Sequence, residues 1–192
     1  MNAEDLQHFE VELDGEKLVL KVTGPMPEKA VRYLEKHIER LNKFKTIGWW
    51  HGARSVSFFD PPLPHPAGKR GLVDRLERVF LKARKPAAAT LAITYNCQAD
   101  CEHCSCSQNV RKQKALDTEQ WKKIISETVD LGTTNVIFTG GEPLLRKDLF
   151  ELIAHVDEQK ATTLMFTNGE LHTEDACKKL ADAGLYSMFM SL

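Results

Sequence analysis

The sequence predicts an α/β protein, a parallel sheet with intervening helices, preceded by a small α+β module. From Ala87 onward, short apolar runs of strand length alternate with amphipathic segments of helix length, as in βα units. Before that point, an apolar and polar alternation surrounds an Asp-Gly pair and a single amphipathic helix follows. Charge changes at the same place: 16 basic and 12 acidic residues up to Lys85 precede 10 basic and 15 acidic ones. We therefore expect two domains, residues 1–86 and 87–192.

The first domain should begin with a β-hairpin that turns at Asp14 and Gly15. The side chains predicted to face inward from it are Phe9, Val11, Leu13, Leu18, Leu20 and Val22. Pro27 opens an amphipathic helix that should end near Gly48. Because the prolines of residues 60–68 lack amide donors and fix φ, that stretch is predicted to be a linker, neither helix nor inner strand. A short basic helix should follow it.

The second domain should contain four strands and three helices. The predicted strands are residues 90–95, 135–139, 162–167 and 185–192. The first helix begins at Asp117, where Gln120 three residues later suggests a capping box, and it ends at Gly132. The other two helices are predicted from about residue 147 to 159 and from 173 to 184. In parallel sheets the chemistry lies at the carboxyl ends of the strands, and the unusual features of this sequence follow those ends.

Composition excludes several classes of protein. Twenty-six Lys and Arg residues against 27 Asp and Glu residues give a net charge of −1, so no global cationic field exists and a nucleic-acid partner is not expected. No window approaches the roughly 18–20 apolar residues that a membrane span needs, and the first residues do not resemble a secretory signal. We expect a soluble, cytoplasmic protein that does not contact a membrane.

Four of the five cysteines, namely Cys97, Cys101, Cys104 and Cys106, fall within ten residues in a predicted loop. Without a secretory signal, such clustering favours metal ligation over disulfides. Thiolates select zinc or iron–sulfur clusters, and three thiolates suit a cubane cluster that keeps one iron free. A structural zinc site with four cysteine ligands remains the alternative, although zinc sites more often consist of two separated Cys-x2-Cys pairs.

A Gly140-Gly141-Glu142-Pro143 turn follows the second predicted strand. Its glycines would let the backbone approach a ligand closely, Pro143 would stiffen the exit, and Glu142 could accept a hydrogen bond from an ammonium group. Turns between strands and helices are often rich in Gly and Pro for structural reasons alone. The position beside a three-cysteine loop is what makes this turn informative.

Together, Cys-x3-Cys-x2-Cys after the first strand, Gly-Gly-Glu-Pro after the second and Thr-Asn-Gly after the third resemble the radical S-adenosylmethionine (SAM) superfamily over residues 87–192. The resemblance implies a partial (β/α) barrel in which Cys97, Cys101 and Cys104 hold a [4Fe-4S] cluster, with SAM on the fourth iron. It implies that Gly140, Gly141 and Glu142 receive the methionyl ammonium, next to Pro143. His103 should lie along the adenine, and Asn168 and Ser191 should face the ribose and carboxylate of SAM. Cys106 is then a non-ligand.

The resemblance also implies an activity: reductive cleavage of SAM to methionine and a 5′-deoxyadenosyl radical that abstracts hydrogen from a substrate. No protein general base is needed, so no catalytic side chain is predicted. An electron donor such as flavodoxin or ferredoxin is implied, and the substrate would be a peptide or a small molecule in peptide maturation or cofactor biosynthesis. Residues 1–86 could recognise it.

Two alternatives stay open at this point. The cysteine loop could be a structural zinc site in an interaction module that is not an enzyme. The sequence also ends after the fourth predicted strand, whereas the family's domain resembles a six-unit partial barrel, so we expect a truncated chain that could be inactive by itself.

Overall fold

The computed structural model describes residues 2–104 and 114–191. The chain divides into two compact units, Met1–Ala87 and Ala88–Leu192. Among the described residues, no helix combines the length and hydrophobicity needed to cross a bilayer.

The first unit begins with an antiparallel hairpin of β1 (Phe9–Asp14) and β2 (Lys17–Val22), on which helix α1 (Glu28–Asn42) packs. The hairpin turns at Gly15 as predicted, with φ +59°. The residues buried in this core are Leu6, Phe9, Val11, Leu18, Ala30, Leu34, Ile38, Leu63, Leu72 and Leu76. Val22 was predicted to face inward but is exposed, although its cross-strand partner Phe9 is fully buried.

Helix α1 ends at Asn42, not near Gly48. The Asn42 side chain accepts a hydrogen bond from the Leu18 backbone amide and donates one to the Leu18 carbonyl, both at 2.8 Å. These two bonds tie the end of the helix to β2. A second hairpin follows, formed by β3 (Gly48–Trp50) and β4 (Ala53–Ser55).

The predicted linker over residues 60–68 is wrong in two respects. Leu63 is buried and pairs with Arg54 through two backbone hydrogen bonds of 2.7 and 3.2 Å. Helix α2 (Pro66–Leu76) begins inside the segment, because Pro66 occupies the first helical turn, where no amide donor is needed, and His65 caps the helix through a 3.3 Å bond from the Ala67 amide. A π-helical turn, Glu77–Leu81, continues α2.

The second unit is a four-stranded parallel sheet with helices between its strands, as predicted. Its strands lie in the order β5 (Ala88–Thr94), β6 (Asn135–Gly140), β7 (Thr162–Thr167) and β8 (Ser187–Met190). Its described helices are α3 (Thr118–Asp130), α4 (Leu149–Ala154) and α5 (Glu174–Asp182). The core consists of Leu91, Ile93, Trp121, Ile125, Val129, Val136, Phe138, Leu149, Leu152, Ile153, Val156, Ala161, Met165 and Leu180.

Local sequence explains where these helices begin and end. Asp117 and Gln120 form the predicted capping box at the start of α3. Helix α4 is much shorter than the predicted 147–159. The Asp157 carboxylate accepts a 3.0 Å bond from the Gln159 amide, and this local turn competes with helix at the predicted end. Strand β8 is likewise shorter than predicted, and all four strands end at the edge that carries the predicted site residues.

Candidate cofactor site

A cavity of about 180 Å³ lies at the carboxyl ends of the four parallel strands. It brings together seven of the residues predicted from sequence: Cys97, Cys101, Cys104, Gly140, Gly141, Asn168 and Ser191. The other lining residues, which the sequence did not single out as ligands, are Ala99, Thr139, Phe166 and Thr167. His103, Glu142 and Pro143 are not among the lining residues. The fold thus gathers parts of four loops around one space.

The two glycines of the turn are required by the neighbouring strand. A Cβ at Gly140 would lie 1.9 Å from the Thr94 carbonyl oxygen, and a Cβ at Gly141 would lie 2.1 Å from that of Asn96. Gly140 also has φ +128°. The backbone amides of Gly141 and Glu142 donate to the same two carbonyls, each at 2.7 Å. Any side chain here would break this close pairing and displace the cavity wall.

Glu142 is fully buried, and its carboxylate joins the ends of two strands. Its oxygens accept hydrogen bonds from the Thr167 hydroxyl at 2.9 and 3.0 Å, from the Asn168 backbone amide at 2.8 Å and from the Leu144 backbone amide at 3.1 Å. All of these donors are uncharged. The carboxylate therefore holds the turn after β6 against the end of β7, one hydrogen bond away from the cavity.

Three cysteines line the cavity in the order that the sequence predicts. Cys97 is half-buried, Cys101 and Cys104 are exposed, and the Cys104 amide donates to the Cys101 carbonyl at 3.1 Å. Within residues 2–104 and 114–191, no group of three His, Cys, Asp or Glu side chains lies close enough together to hold a metal ion. Cys106 lies outside the described residues. Three thiols on one cavity are nonetheless a donor set that fits a thiolate-held iron–sulfur cluster.

The remaining predicted site residues differ in position. The Asn168 side chain bridges to Cys97, since its Nδ2 donates to Cys97 Sγ at 3.7 Å. The Ser191 backbone amide donates to the Thr167 carbonyl at 2.9 Å, which fixes Ser191 at the cavity rim. Pro143 is buried in a short 3-10 turn, Pro143–Leu145, and His103 is exposed in the cysteine loop.

The sequence profile of the Radical SAM superfamily matches residues 91–192, more than half of the chain. The chain belongs to the radical SAM superfamily. This match extends from β5 to the end of the sequence and includes every residue predicted for the site.

Individual relatives of this radical SAM chain match the same part. A PqqA peptide cyclase of Bradyrhizobium diazoefficiens is 42% identical over 101 residues, which are 52% of this chain and 27% of that relative. An Fe-coproporphyrin III synthase of Methanosarcina barkeri is 34% identical over 114 residues, 59% of this chain and 28% of that relative. The match therefore spans less than a third of the length of these curated relatives.

A solved structure extends the likeness in fold. The structure of Streptococcus suis SuiB bound to precursor peptide SuiA aligns with 97% of this chain and 47% of that chain, at 17% identity and a TM-score of 0.50. The mixed α/β architecture with its parallel sheet is therefore that of the radical SAM fold.

An ion pair that sequence reasoning missed joins the segment after β6 to strand β5 and to the start of α3. Arg146 is bidentate to Asp148, at 2.7 and 2.8 Å, and donates to the carbonyls of Ile93 at 2.7 Å and Leu116 at 3.0 Å. Asp148 also accepts from the Thr118 hydroxyl at 2.6 Å. Burial favours the neutral acid, but the hydrogen bonds from Arg146 and Thr118 outweigh it and lower the pKa of Asp148. An Arg-x-Asp spacing is too common in sequences to have revealed this role.

Proposed function

We propose that this chain holds a [4Fe-4S] cluster through Cys97, Cys101 and Cys104 and binds SAM in the adjoining cavity. The single observation that carries the proposal is the shared cavity, which joins three thiols to the Gly140-Gly141 turn and to the end of β7. Membership of the radical SAM superfamily supports the choice of an iron–sulfur cluster over zinc.

The proposed roles of the other residues follow their positions. The backbone of Gly140 and Gly141, which lines the cavity, receives the methionyl ammonium of SAM. Glu142 contributes a buried negative charge close to that ammonium and braces the turn, with Pro143 stiffening its exit. Asn168 and Ser191 lie on the cavity wall and face the ribose and carboxylate of SAM. His103 extends from the cysteine loop along the adenine.

When bound, the cluster and SAM supply one-electron reductive cleavage of SAM to methionine and a 5′-deoxyadenosyl radical. The protein's part is to position SAM and exclude water, so we assign no general base. The electron comes from a donor such as flavodoxin or ferredoxin. We place this chemistry in the cytoplasm, where thiols stay reduced.

We propose a peptide as the substrate, because several of the relatives are PqqA peptide cyclases. The similarity to the Fe-coproporphyrin III synthase keeps a small molecule in cofactor biosynthesis as the second candidate. In either case we assign residues 1–86 to substrate recognition.

The decisive experiment is anaerobic reconstitution of the chain and of its single-cysteine variants, followed by iron and sulfide assays. We expect a brown protein that bleaches with dithionite, and loss of the cluster in Cys97→Ala, Cys101→Ala or Cys104→Ala. Cys177→Ala is the matched control, since Cys177 lies on α5 away from the cavity lining and its loss should leave the cluster content unchanged. Cys106→Ala should also retain the cluster.

Other outcomes would identify the alternatives. A colourless protein that contains stoichiometric zinc and depends on Cys106 would support a structural four-cysteine site. A full cluster that binds SAM but yields no 5′-deoxyadenosine with dithionite would indicate that this length of chain is an inactive part of an enzyme.

A further inference from the structure

The side chain of Asn168 lies at the centre of a polar network beside Cys97. Its Oδ1 accepts from the Gln98 side-chain amide at 3.2 Å and from the Glu170 backbone amide at 3.0 Å. Gln98 is itself held by a 3.0 Å bond to the Glu170 carboxylate. The Asn168 backbone is fixed as well, because its amide donates to Glu142 at 2.8 Å.

This network decides which end of the Asn168 amide faces the sulfur. Both groups on one side of the side chain are N–H donors, so the atom that meets them must be the oxygen. The NH2 group is therefore directed to Cys97 Sγ, 3.7 Å away. A flipped amide would set donor against donor at Gln98 and at the Glu170 backbone.

We propose that Asn168 is a positioning residue that tunes the cluster by donating a hydrogen bond to the Cys97 thiolate. This inference rests on the proposed function, in which Cys97 is a cluster ligand, and it gives Asn168 a second task besides contact with SAM. The side-chain NH2 group of Asn168 has two hydrogens, so one can bond to Cys97 Sγ while the other contacts SAM.

The physical effect of such a bond has a definite sign. An N–H donor stabilises negative charge on a thiolate ligand, and reduction by one electron increases that charge. The hydrogen bond therefore stabilises the reduced cluster more than the oxidised cluster and raises its reduction potential. Because the donor is part of the fold, the effect does not depend on SAM.

The test is a reductive titration of the reconstituted chain without SAM, followed by electron paramagnetic resonance. In Asn168→Ala we expect the equilibrium constant for reduction by one electron to fall about tenfold, which corresponds to about 59 mV. Asn168→Asp should fall further, since it replaces the donor with a negative charge. Resonance Raman should show a changed iron–thiolate stretching frequency in both variants.

Two further variants separate tuning from a general loss of structure. Gln98→Leu removes a partner that orients Asn168 but leaves the amide in place, so a smaller fall in the same direction is expected. Asn2→Ala is the matched control: it makes the same substitution at an exposed asparagine of the first unit, outside the cavity lining, and should keep the wild-type potential.

The outcomes distinguish this proposal from the one on which it rests. Wild-type potentials and Raman frequencies in Asn168→Ala and Asn168→Asp, with full cluster content, would overturn the tuning role and leave the cluster assignment intact. If Asn168→Ala fails to fold, an unchanged potential in Gln98→Leu would overturn it. A wild-type chain without any cluster would refute both proposals at the level of iron content, before a potential is measured.

Discussion

Buried carboxylates occur in both units, but they are compensated in different ways. In the first unit, Asp74 and Glu77 are 5% and 7% exposed at their side chains, and Lys85 forms an ion pair with both of them. In the second unit, Glu142 is 0% exposed, and within the described residues its partners are only backbone amides and the Thr167 hydroxyl.

The difference separates buried carboxylates that serve the structure, Asp74 and Glu77, from a buried carboxylate that is suited to a ligand, Glu142. The first unit supplies its own cations: Lys85 pairs with both carboxylates, and Arg70 Nε lies 3.9 Å from Asp74 Oδ2. The charge of Glu142 meets no such cation in the described part of the chain, and it lies one hydrogen bond from a cavity wall. A buried charge held by dipoles alone favours a cation nearby, and the methionyl ammonium of SAM would be one.

The largest effect should come from Lys85→Met, which leaves Asp74 and Glu77 buried without their shared cation. Breaking a fully buried pair costs about 3–5 kcal/mol; because a third of the Lys85 side chain is exposed, we expect the free energy of unfolding to fall by about 2–3 kcal/mol. Urea unfolding followed by circular dichroism measures this change.

Arg84→Met is the control for that experiment, since it removes an exposed charge one residue earlier and should change stability by no more than about 0.5 kcal/mol. Equal free energies of unfolding of Lys85→Met and Arg84→Met would show that the buried carboxylates of the first unit do not depend on the Lys85 cation.

A smaller effect is expected from Glu142→Gln, which keeps the shape of the side chain and removes its charge. The new NH2 group would face an amide or hydroxyl donor, and the attraction for the SAM ammonium would weaken. We expect SAM affinity to fall about tenfold, or about 1.4 kcal/mol, with the cluster content unchanged. Calorimetric titration of SAM into the reconstituted protein measures it.

The matched control is Glu174→Gln, an exposed carboxylate at the start of α5, which should leave SAM affinity as it is. If Glu142→Gln binds SAM as tightly as the wild type, the buried charge does not contribute to the site. The contrast between Glu142 and the buried carboxylates of the first unit is then a matter of structure alone.

The smallest effect should arise at Asp148, whose compensation is intermediate, with one cation and one hydroxyl. Its pKa is lowered from the ordinary value of 3.8, so its stabilising contribution is complete above that value and is lost as pH falls through the lower, folded-state value. Asp148→Asn should be less stable than the wild type at pH 7 by about 1 kcal/mol or less, and this gap should shrink at an acidic pH below 3.8.

Urea midpoints at the two pH values measure the gap. Asp182→Asn, at an exposed carboxylate with no ion pair in the described residues, should change stability little at either pH. A gap for Asp148→Asn that stays constant from neutral to acidic pH would contradict the linkage to its ionisation.

Much of the fold could be predicted because its signals are local. The strand at 162–167 and the capping box at Asp117 occur where the residues place them, since alternation and capping involve only near neighbours. The predictions that were wrong concern ends and connections: the end of α1, the linker at 60–68 and the length of α4. At each of these places, a specific contact determines whether the segment remains helical or packs against another part of the chain.

The site divides in the same way. Motif order sufficed to predict that seven of the residues would meet, because the carboxyl ends of parallel strands share one edge, whereas His103, Glu142 and Pro143 do not line the cavity. It did not reveal why the glycines are needed: their Cβ positions are taken by the carbonyls of Thr94, at the end of β5, and of Asn96, two residues beyond it. Nor did it reveal Arg146, which contacts Ile93 from 53 residues away.

The sequence by itself determined the family, the α/β class and most of the residues gathered at one edge, because spacing and periodicity are properties of the chain. Only the tertiary structure decided what each polar group is bonded to. It directs the Glu142 carboxylate to Thr167 and Asn168, and the Asn168 amide to Cys97. Such bonds join residues that are 25 to 71 positions apart, and their geometry is fixed by how the strands pack rather than by any local preference.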